Sequence, residues 1–425
     1  MDTSIILLTL SLALLLGLLL TRIAKRIGLP AVTAYLVTGI LIGPFCLGAL
    51  GVDGLGFSSL DEVKGFSIIC DLALGFIAFS IGNEFRLSQL KKIGKQATII
   101  GIFQAVFTTL VVDAALIIFH LCLPDVLSLE AAIVLGAVAS ATAPAATLMV
   151  VKQYKAKGKL TDILLPVVAL DDAVGLVLFA VSFGIAKTIS LGEISVLSVV
   201  LEPLLEVVLS VALGAVMGWI FTFIERFFHS RSKRLAISIT FVMLTVAISN
   251  LSFEISGIHV GFSSLLSCMM LGTIFCNICD FSEELMQRAD RWTTPFYVLF
   301  FVLSGAELDF TVFGSLAVIA VGVIFILTRS LGKYFGATLS ASMSGCDKSI
   351  VRYLGITLLP QAGVAIGMAT KALALGEIGV MVQSITLFAV LIYELVGPYL
   401  TKIALTKAGD IIAENRVSSR GVHNH

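Results

Sequence analysis

The chain has 425 residues, of which 58% are hydrophobic and only 13% are charged. This composition is far more apolar than that of ordinary soluble domains, so it excludes a soluble globular protein and predicts an all-α polytopic membrane protein. The formal net charge is zero, and no large basic field therefore indicates a nucleic-acid partner.

Thirteen hydrophobic segments, each near the roughly 20 residues that a bilayer requires, are predicted to cross the membrane as helices. The first segment is predicted to be a membrane span and not a signal peptide, because it lacks the basic start and the small-residue cleavage site of a signal peptide. The predicted spans are centred on residues 4–20, 29–44, 65–83, 97–120, 129–151, 161–186, 196–224, 235–252, 258–276, 293–306, 312–342, 350–375 and 381–404.

The distribution of basic residues predicts the orientation of these spans. If alternate loops are taken as cytoplasmic, most of the 28 Lys and Arg residues fall in them or in the C-terminal tail, and only Lys64, Lys187 and Lys371 fall in the opposite set. Cytoplasmic loops retain such an excess of basic residues. The N-terminus is therefore predicted to lie outside and the C-terminus inside.

Two segments recur in the same order along the chain. Residues 28–43 in the second span are similar to residues 257–272 in the ninth, and residues 80–84 are similar to residues 303–307 in the tenth. Both matches are displaced by seven spans, an odd number, so the two copies enter the membrane from opposite sides. This pattern predicts two inverted repeats of the kind found in secondary transporters, with a site where the repeats meet.

The fifth and twelfth spans are predicted to be broken helices. The fifth carries Pro144 among small and polar residues, and the twelfth carries Pro360, Gln361 and Gly363. Proline removes a backbone donor and clashes with the preceding turn. Interrupted helices leave free N–H and C=O groups at membrane depth, which is tolerated where they line a cavity.

Charged residues lie deep inside two other spans. Asp171 and Asp172 are adjacent in the sixth span, and Arg329 lies in the eleventh, one turn before Lys333, which can reach toward the cytoplasm. An acidic residue at a helix centre costs about 2.5 to 3.5 kcal/mol on insertion scales, so the pair needs a partner, a cavity or a function. Together with Thr142 and Gln361 at similar depth, the carboxylates predict a titratable cation site, with a purely structural buried pair as the alternative.

These motifs together resemble the bacterial monovalent cation:proton antiporters of the Kef-like and sodium/proton exchanger type. The resemblance covers nearly the whole chain and rests on the motifs at 28–44, 79–84, 141–144, 170–172 and 329–332. It implies about 13 transmembrane helices in the sodium/proton-antiporter fold, with two crossed broken helices. It also implies a location in the bacterial inner membrane.

The resemblance further implies a homodimer in which a core moves against a dimerising scaffold. Its divisions are scaffold helices 1–3 in residues 1–95, core helices 4–6 in 96–190, linker helix 7 and scaffold helices 8–10 in 191–310, core helices 11–13 in 311–405, and a cytoplasmic tail in 406–425.

The same resemblance assigns roles to the site residues. Asp172 coordinates the monovalent cation and takes up the proton, Asp171 pairs with Arg329, and Thr142 completes the site with the fifth-span backbone at Ser140 and Ala143. By the same resemblance Na⁺ is the expected cation, with K⁺ or Li⁺ as alternatives, and no cofactor is implied beyond the transported Na⁺ or K⁺ and H⁺. Because arginine stays protonated in proteins, one proton is expected to replace one cation in an electroneutral cycle.

Two other functions are alternatives to exchange. A sodium-coupled organic-anion symporter would need anion-binding groups beyond Arg329, and the sequence shows none. An intramembrane aspartyl protease needs two aspartates on separate helices, whereas Asp171 and Asp172 are adjacent on one helix and point about 100° apart. The sequence therefore favours a transporter over an enzyme.

Overall fold

The computed structural model describes residues 3–52, 54–83, 85–191, 196–251, 253–255, 258–279, 282–308 and 316–411. Over these ranges the chain forms sixteen α-helices and one short antiparallel hairpin, in which Phe253 pairs with Val260. The predicted tail after residue 411 lies outside the described residues.

The first eight helices are α1 Thr3–Arg26, α2 Ala31–Ile42, α3 Leu60–Lys64, α4 Ser67–Asn83, α5 Leu87–Cys122, α6 Leu129–Val138, α7 Pro144–Gln153 and α8 Lys159–Leu191. The remaining helices are α9 Val196–Glu225, α10 Arg231–Ser249, α11 Ser264–Ile278, α12 Ser282–Ala306, α13 Leu316–Met343, α14 Lys348–Thr357, α15 Gly363–Ala372 and α16 Glu377–Ala408. The strands are β1 Phe253–Ile255 and β2 Ile258–Val260, and 3₁₀ turns occupy Leu47–Leu50 and Leu373–Leu375.

Within the described residues, twelve of the thirteen predicted spans fall on one helix or on a pair of half-helices. The ninth, predicted over residues 258–276, is helical only from Ser264, because its first residues form the strand β2. The fifth span is divided between α6 and α7, and the twelfth between α14 and α15. Eight helices in the described part of the chain are long and apolar enough to cross a membrane. The prediction of a helical membrane protein is therefore confirmed, and the count of thirteen crossings stays a prediction.

The buried apolar side chains form separate clusters. One cluster is built mainly from α1, α2, α4 and α9–α12. The other two are built mainly from α5–α8 and α13–α16, and one of them includes Leu308, two residues after α12. A few residues of the second group, including Leu148 and Leu165, pack against the first cluster. The packing thus forms two bodies that meet along α7 and α8 and where α16 contacts α2.

Glycines allow two close helix crossings in the body built from α1, α2, α4 and α9–α12. A Cβ atom at Gly39 of α2 would overlap the carbonyl oxygen of Val302 in α12, and one at Gly305 would overlap that of Leu36. Only a residue without a side chain allows backbones to approach this closely. Gly305 belongs to one of the segments that predicted the repeat, and Gly39 lies within another.

The same crossing recurs between α4 and α11. A Cβ atom at Gly82 would overlap the carbonyl oxygen of Met269, and one at Gly272 would overlap that of Phe79. Seven predicted spans separate α2 from α11, and seven separate α4 from α12. The crossing of α2 with α12 therefore corresponds to the crossing of α11 with α4. The recurring glycines therefore mark equivalent helix contacts in the two halves of the chain.

Candidate ion-binding site

The two interrupted helices cross each other through their unwound segments. α6 ends at Val138 and α7 begins at Pro144, which occupies a first helical position where its missing N–H is tolerated. The backbone N–H of Ala143 donates to the carbonyl of Pro360 at 2.8 Å. The side-chain amide of Gln361 donates to the carbonyl of Val138 at 2.9 Å. The predicted pair of crossed broken helices is therefore present.

Arg329 holds the two unwound segments together. Its guanidinium is fully buried and donates to the carbonyls of Ala139 at 3.0 Å, Ala141 at 2.7 Å and Leu359 at 2.8 Å. It also lies over the ring of Tyr393, 4.4 Å from the centroid. The last carbonyls of a helix have no intrahelical donor and carry partial negative charge, so the guanidinium neutralises the ends of α6 and α14.

Lys333 occupies the position that the sequence predicted for Arg329. Its Nζ lies 2.7 Å from Oδ2 of Asp171 and also donates to the carbonyl of Ser140 at 2.5 Å and the hydroxyl of Thr142 at 3.0 Å. The prediction that Asp171 pairs with Arg329 is therefore wrong. The expectation that Lys333 reaches toward the cytoplasm is also wrong, since its side chain is 0% exposed.

The chemistry of the two bases explains this assignment. Arg329 and Lys333 are one turn apart and share a face of α13. A planar guanidinium has donors in several fixed directions and suits the diverging carbonyls of two helix ends, whereas a compact ammonium suits acceptors that converge on one point. The residue nearest the carboxylate is consequently the lysine.

Asp171 is fully satisfied by its neighbours. Oδ2 accepts from Lys333 and, at 2.5 Å, from the hydroxyl of Thr142, and Oδ1 accepts from the side-chain amide of Gln104 in α5. Gln104 is not among the predicted site residues, although a glutamine inside the apolar fourth span is a usable signal. Asp171 thus has a structural partner for each oxygen.

Asp172 has the opposite environment. Its side chain is 1% exposed, and within the described part of the chain neither carboxylate oxygen has a hydrogen-bond partner. Adjacent helical residues point about 100° apart, so Asp172 faces away from the network that surrounds Asp171. A buried carboxylate without a partner requires either a proton or a bound cation.

The structure therefore divides the predicted site residues into two groups. One group, comprising Asp171, Thr142 and Ser140, surrounds the ammonium of Lys333. The other group forms the crossing or its helix ends and comprises Ala143, Pro144, Pro360, Gln361, Gly363 and Arg329. Asp172 contacts neither group through a hydrogen bond among the described residues.

A cavity of about 1310 Å³ opens between the two bodies, next to α7 and α8. Two ion pairs line it, Lys152 with Asp290 at 2.6 Å and Arg86 with Glu283 at 2.9 Å. Leu165 also lines the cavity, whereas Asp172, two turns further along the same face of α8, does not. The cavity thus approaches the site but is closed off from Asp172.

Residues 10–407 match the family described as "Sodium/hydrogen exchanger, transmembrane". The chain belongs to this family. It is accordingly a membrane transporter of the cation/proton antiporter type and not an enzyme. This membership confirms the family and the class of function that the sequence motifs indicated.

Relatives with described functions are similar over nearly the whole chain. The K(+)/H(+) antiporter subunit KhtU of Bacillus subtilis (strain 168) is 22% identical over 395 residues, which cover 92% of this chain and 91% of that protein.

Solved structures of the sodium proton antiporter MjNhaP1 from Methanocaldococcus jannaschii share the fold. The structure at pH 8 has a TM-score of 0.67 and 19% identity, and covers 94% of this chain and 95% of its own. A structure from an electron-microscopy map has a TM-score of 0.75 and 18% identity, and covers 96% and 98%.

Proposed function

We propose that this exchanger moves a monovalent cation, Na⁺ or K⁺, against protons, with Asp172 as the carboxylate that binds each in turn. The observation that carries the proposal is the contrast between the two aspartates. Asp171 has partners for both oxygens, whereas Asp172 is equally buried and has none in the described chain. A cation or a proton supplies the missing partner.

Competition at one carboxylate couples the two fluxes. An ionised Asp172 without a ligand places an uncompensated charge inside the membrane, which strongly disfavours its movement across the apolar layer. A bound cation or a bound proton removes that charge. The transporter therefore moves Asp172 from one side of the membrane to the other only when that carboxylate carries a cation or a proton. If it crosses in one direction with the cation, it returns with the proton.

The movement that we propose is a displacement of one body against the other. The body of α5–α8 and α13–α16 contains the crossed helices and both aspartates, and Arg329 joins the crossing from α13. This body is the proposed moving core, and the helices packed around α2, α4, α11 and α12 are the proposed scaffold of a homodimer. The equivalent glycine crossings support two inverted repeats.

The charged loops support the proposed placement in the bacterial inner membrane. Cytoplasmic segments retain Lys and Arg, so we place the C-terminus inside and the N-terminus outside. The cavity, which contacts Lys152, Lys155 and Arg291, then opens toward the cytoplasm. The transported cation and the proton are the proposed substrates, and no further cofactor is proposed.

Replacing Asp172 by Asn tests this function in purified protein. Asn keeps the size of the side chain and removes its charge, so cation-dependent proton flux in proteoliposomes should fall to the level of empty vesicles for Na⁺, K⁺ and Li⁺ alike. Asp125→Asn, an exposed carboxylate in the loop after α5, is the matched control and should transport normally. Undiminished exchange by the Asp172 variant would refute the assignment.

Measuring the proton flux driven by Na⁺, K⁺ and Li⁺ separately also identifies the transported cation. The names of the similar proteins mention both potassium and sodium, and the described contacts around Asp172 do not favour either ion. Whichever cation drives proton flux in the wild type at the lowest concentration is the substrate. If the protein were instead a sodium-coupled organic-anion symporter, the chloride salts of Na⁺, K⁺ and Li⁺ alone would not drive proton flux.

A further inference from the structure

A second carboxylate lies buried in the core without a role in the proposed exchange. Glu394 is near the middle of the 32-residue helix α16 and is only 5% exposed. Its Oε2 has no hydrogen-bond partner within the described residues. An ionised carboxylate in such an apolar position is unfavourable unless a proton or a cation accompanies it.

Glu394 occupies the position in the second repeat that Asp172 occupies in the first. A displacement of seven spans relates α8 to α16. A Cβ atom on Gly175, three residues after Asp172, would lie 3.0 Å from Oγ of Ser140 in the first unwound segment. A Cβ atom on Gly397, three residues after Glu394, would lie 2.9 Å from Cα of Pro360 in the second. The two glycines therefore fix the same register in both repeats.

The residues that precede the two carboxylates both attach their helices to α13. Asp171 binds α13 through Lys333, and Tyr393 binds α13 by lying under Arg329 and by hydrogen-bonding Ser330 at 2.8 Å. Each carboxylate thus directly follows a residue that holds its helix against α13, and each is buried with an oxygen that lacks a partner among the described residues.

The charged neighbour of Glu394 belongs to the other body. The carboxylate of Glu307, one residue after α12, acts electrostatically on Glu394. Glu307 in turn has Lys64 as a nearby cation and acts on the thiol of Cys70. If both carboxylates were ionised they would repel each other, so a proton or a cation on Glu394 removes this repulsion as well as the cost of its buried charge.

We propose that Glu394, together with Glu307, forms a second ion-binding site that holds either a proton or a monovalent cation. The site is the repeat-related counterpart of Asp172 and joins the core to the scaffold. The assignment of its ligand as a proton or a monovalent cation rests on the proposed function; the position of the site does not. Its occupancy is independent of Asp172, since no described contact connects the two carboxylates.

Chemical labelling of the purified wild-type protein tests the site directly. Dicyclohexylcarbodiimide adds to a protonated, apolar carboxyl group and forms a stable N-acylurea, which mass spectrometry locates in the peptide sequence. Glu394 or Glu307 is expected to react, and saturating Na⁺ or K⁺ is expected to reduce the reaction several-fold relative to choline. Absence of labelling on both residues over the whole pH range of stability would overturn the proposal, as would labelling that is unaffected by either cation.

Variants separate this site from the transport site. Asp172→Asn should abolish exchange and leave the cation-sensitive labelling of Glu394 unchanged, so failure of the proposed function and failure of this site give different results. Glu394→Gln should still exchange ions but shift the pH of half-maximal exchange, and Glu377→Gln, an exposed carboxylate on the same helix, should not. If Glu394→Gln does not fold, Glu307→Gln provides the same test by altering the labelling of Glu394. An unchanged pH profile and unchanged labelling in these variants would contradict a second site.

Discussion

Lys333 and Arg329 lie one turn apart on α13 and bind different groups. Arg329 binds carbonyls at both helix ends, and Lys333 binds the carboxylate of Asp171. The distinction matters for transport, because a buried lysine can release its proton when its carboxylate partner moves away, whereas arginine cannot. The reason for expecting an electroneutral cycle therefore no longer holds, and Lys333 becomes a candidate second proton carrier.

Replacing Lys333 by Arg is expected to change the charge moved in each cycle. In the wild type, two protons, on Asp172 and Lys333, can exchange for one monovalent cation, so a cation gradient should drive a steady current through proteoliposomes. The arginine variant should retain slower exchange without that current, since the guanidinium keeps its proton. The measurement compares current and proton flux in the same vesicles.

Arg329→Lys is the matched control, because it alters a base that contacts carbonyls and not Asp171. It should leave the ratio of charge to cation as in the wild type. A wild-type protein without steady current, or equal currents in wild type and Lys333→Arg, would show that Lys333 does not carry a proton.

At the scale of the helices, glycine-mediated crossings join α2 to α12 and α4 to α11. Replacing Gly305 by Ala introduces a Cβ atom against the carbonyl of Leu36 and should destabilise the protein by roughly 1 to 3 kcal/mol. The expected observation is a lower thermal midpoint in detergent. Gly367→Ala in α15, where a Cβ atom meets nothing within 4 Å, should lower it little or raise it. Equal effects of the two substitutions would contradict the packing explanation.

The interrupted helices were predictable because Pro144 and Pro360 leave a direct signal in the sequence. The contacts inside the crossing were not, since they depend on how two distant segments meet. Counting residues along α13 gives the approximate depth of Arg329 and Lys333, but one turn of about 5.4 Å decides which base reaches Asp171. The missing partner of Asp172 could not be inferred either, because it depends on every helix around it.

For the whole molecule, one shared carboxylate predicts competition between protons and cations. A protonated Asp172 cannot bind a cation, so the apparent KM for the transported cation should rise as the pH falls, while the maximal rate is recovered at saturating cation. The test is a series of cation titrations of proton flux at several pH values, with the pH kept equal on both sides of the membrane. A KM that is constant over the pH range in which activity changes would argue for separate sites.

The charge of the cavity has a consequence for the rate at which ions approach the site. Among its lining side chains, Lys152 and Arg86 are neutralised by Asp290 and Glu283, which leaves three bases, Lys155, Lys157 and Arg291, against the single carboxylate of Asp162. This surplus repels cations over a distance set by the Debye length, about 30 Å at 0.01 M and about 10 Å at 0.1 M ionic strength. Added choline chloride should therefore strengthen the apparent affinity for the transported cation on the cavity side. An affinity that weakens with inert salt would indicate an entrance with negative potential. Ionic strength, and not pH alone, is thus expected to set how readily the transporter loads from that side.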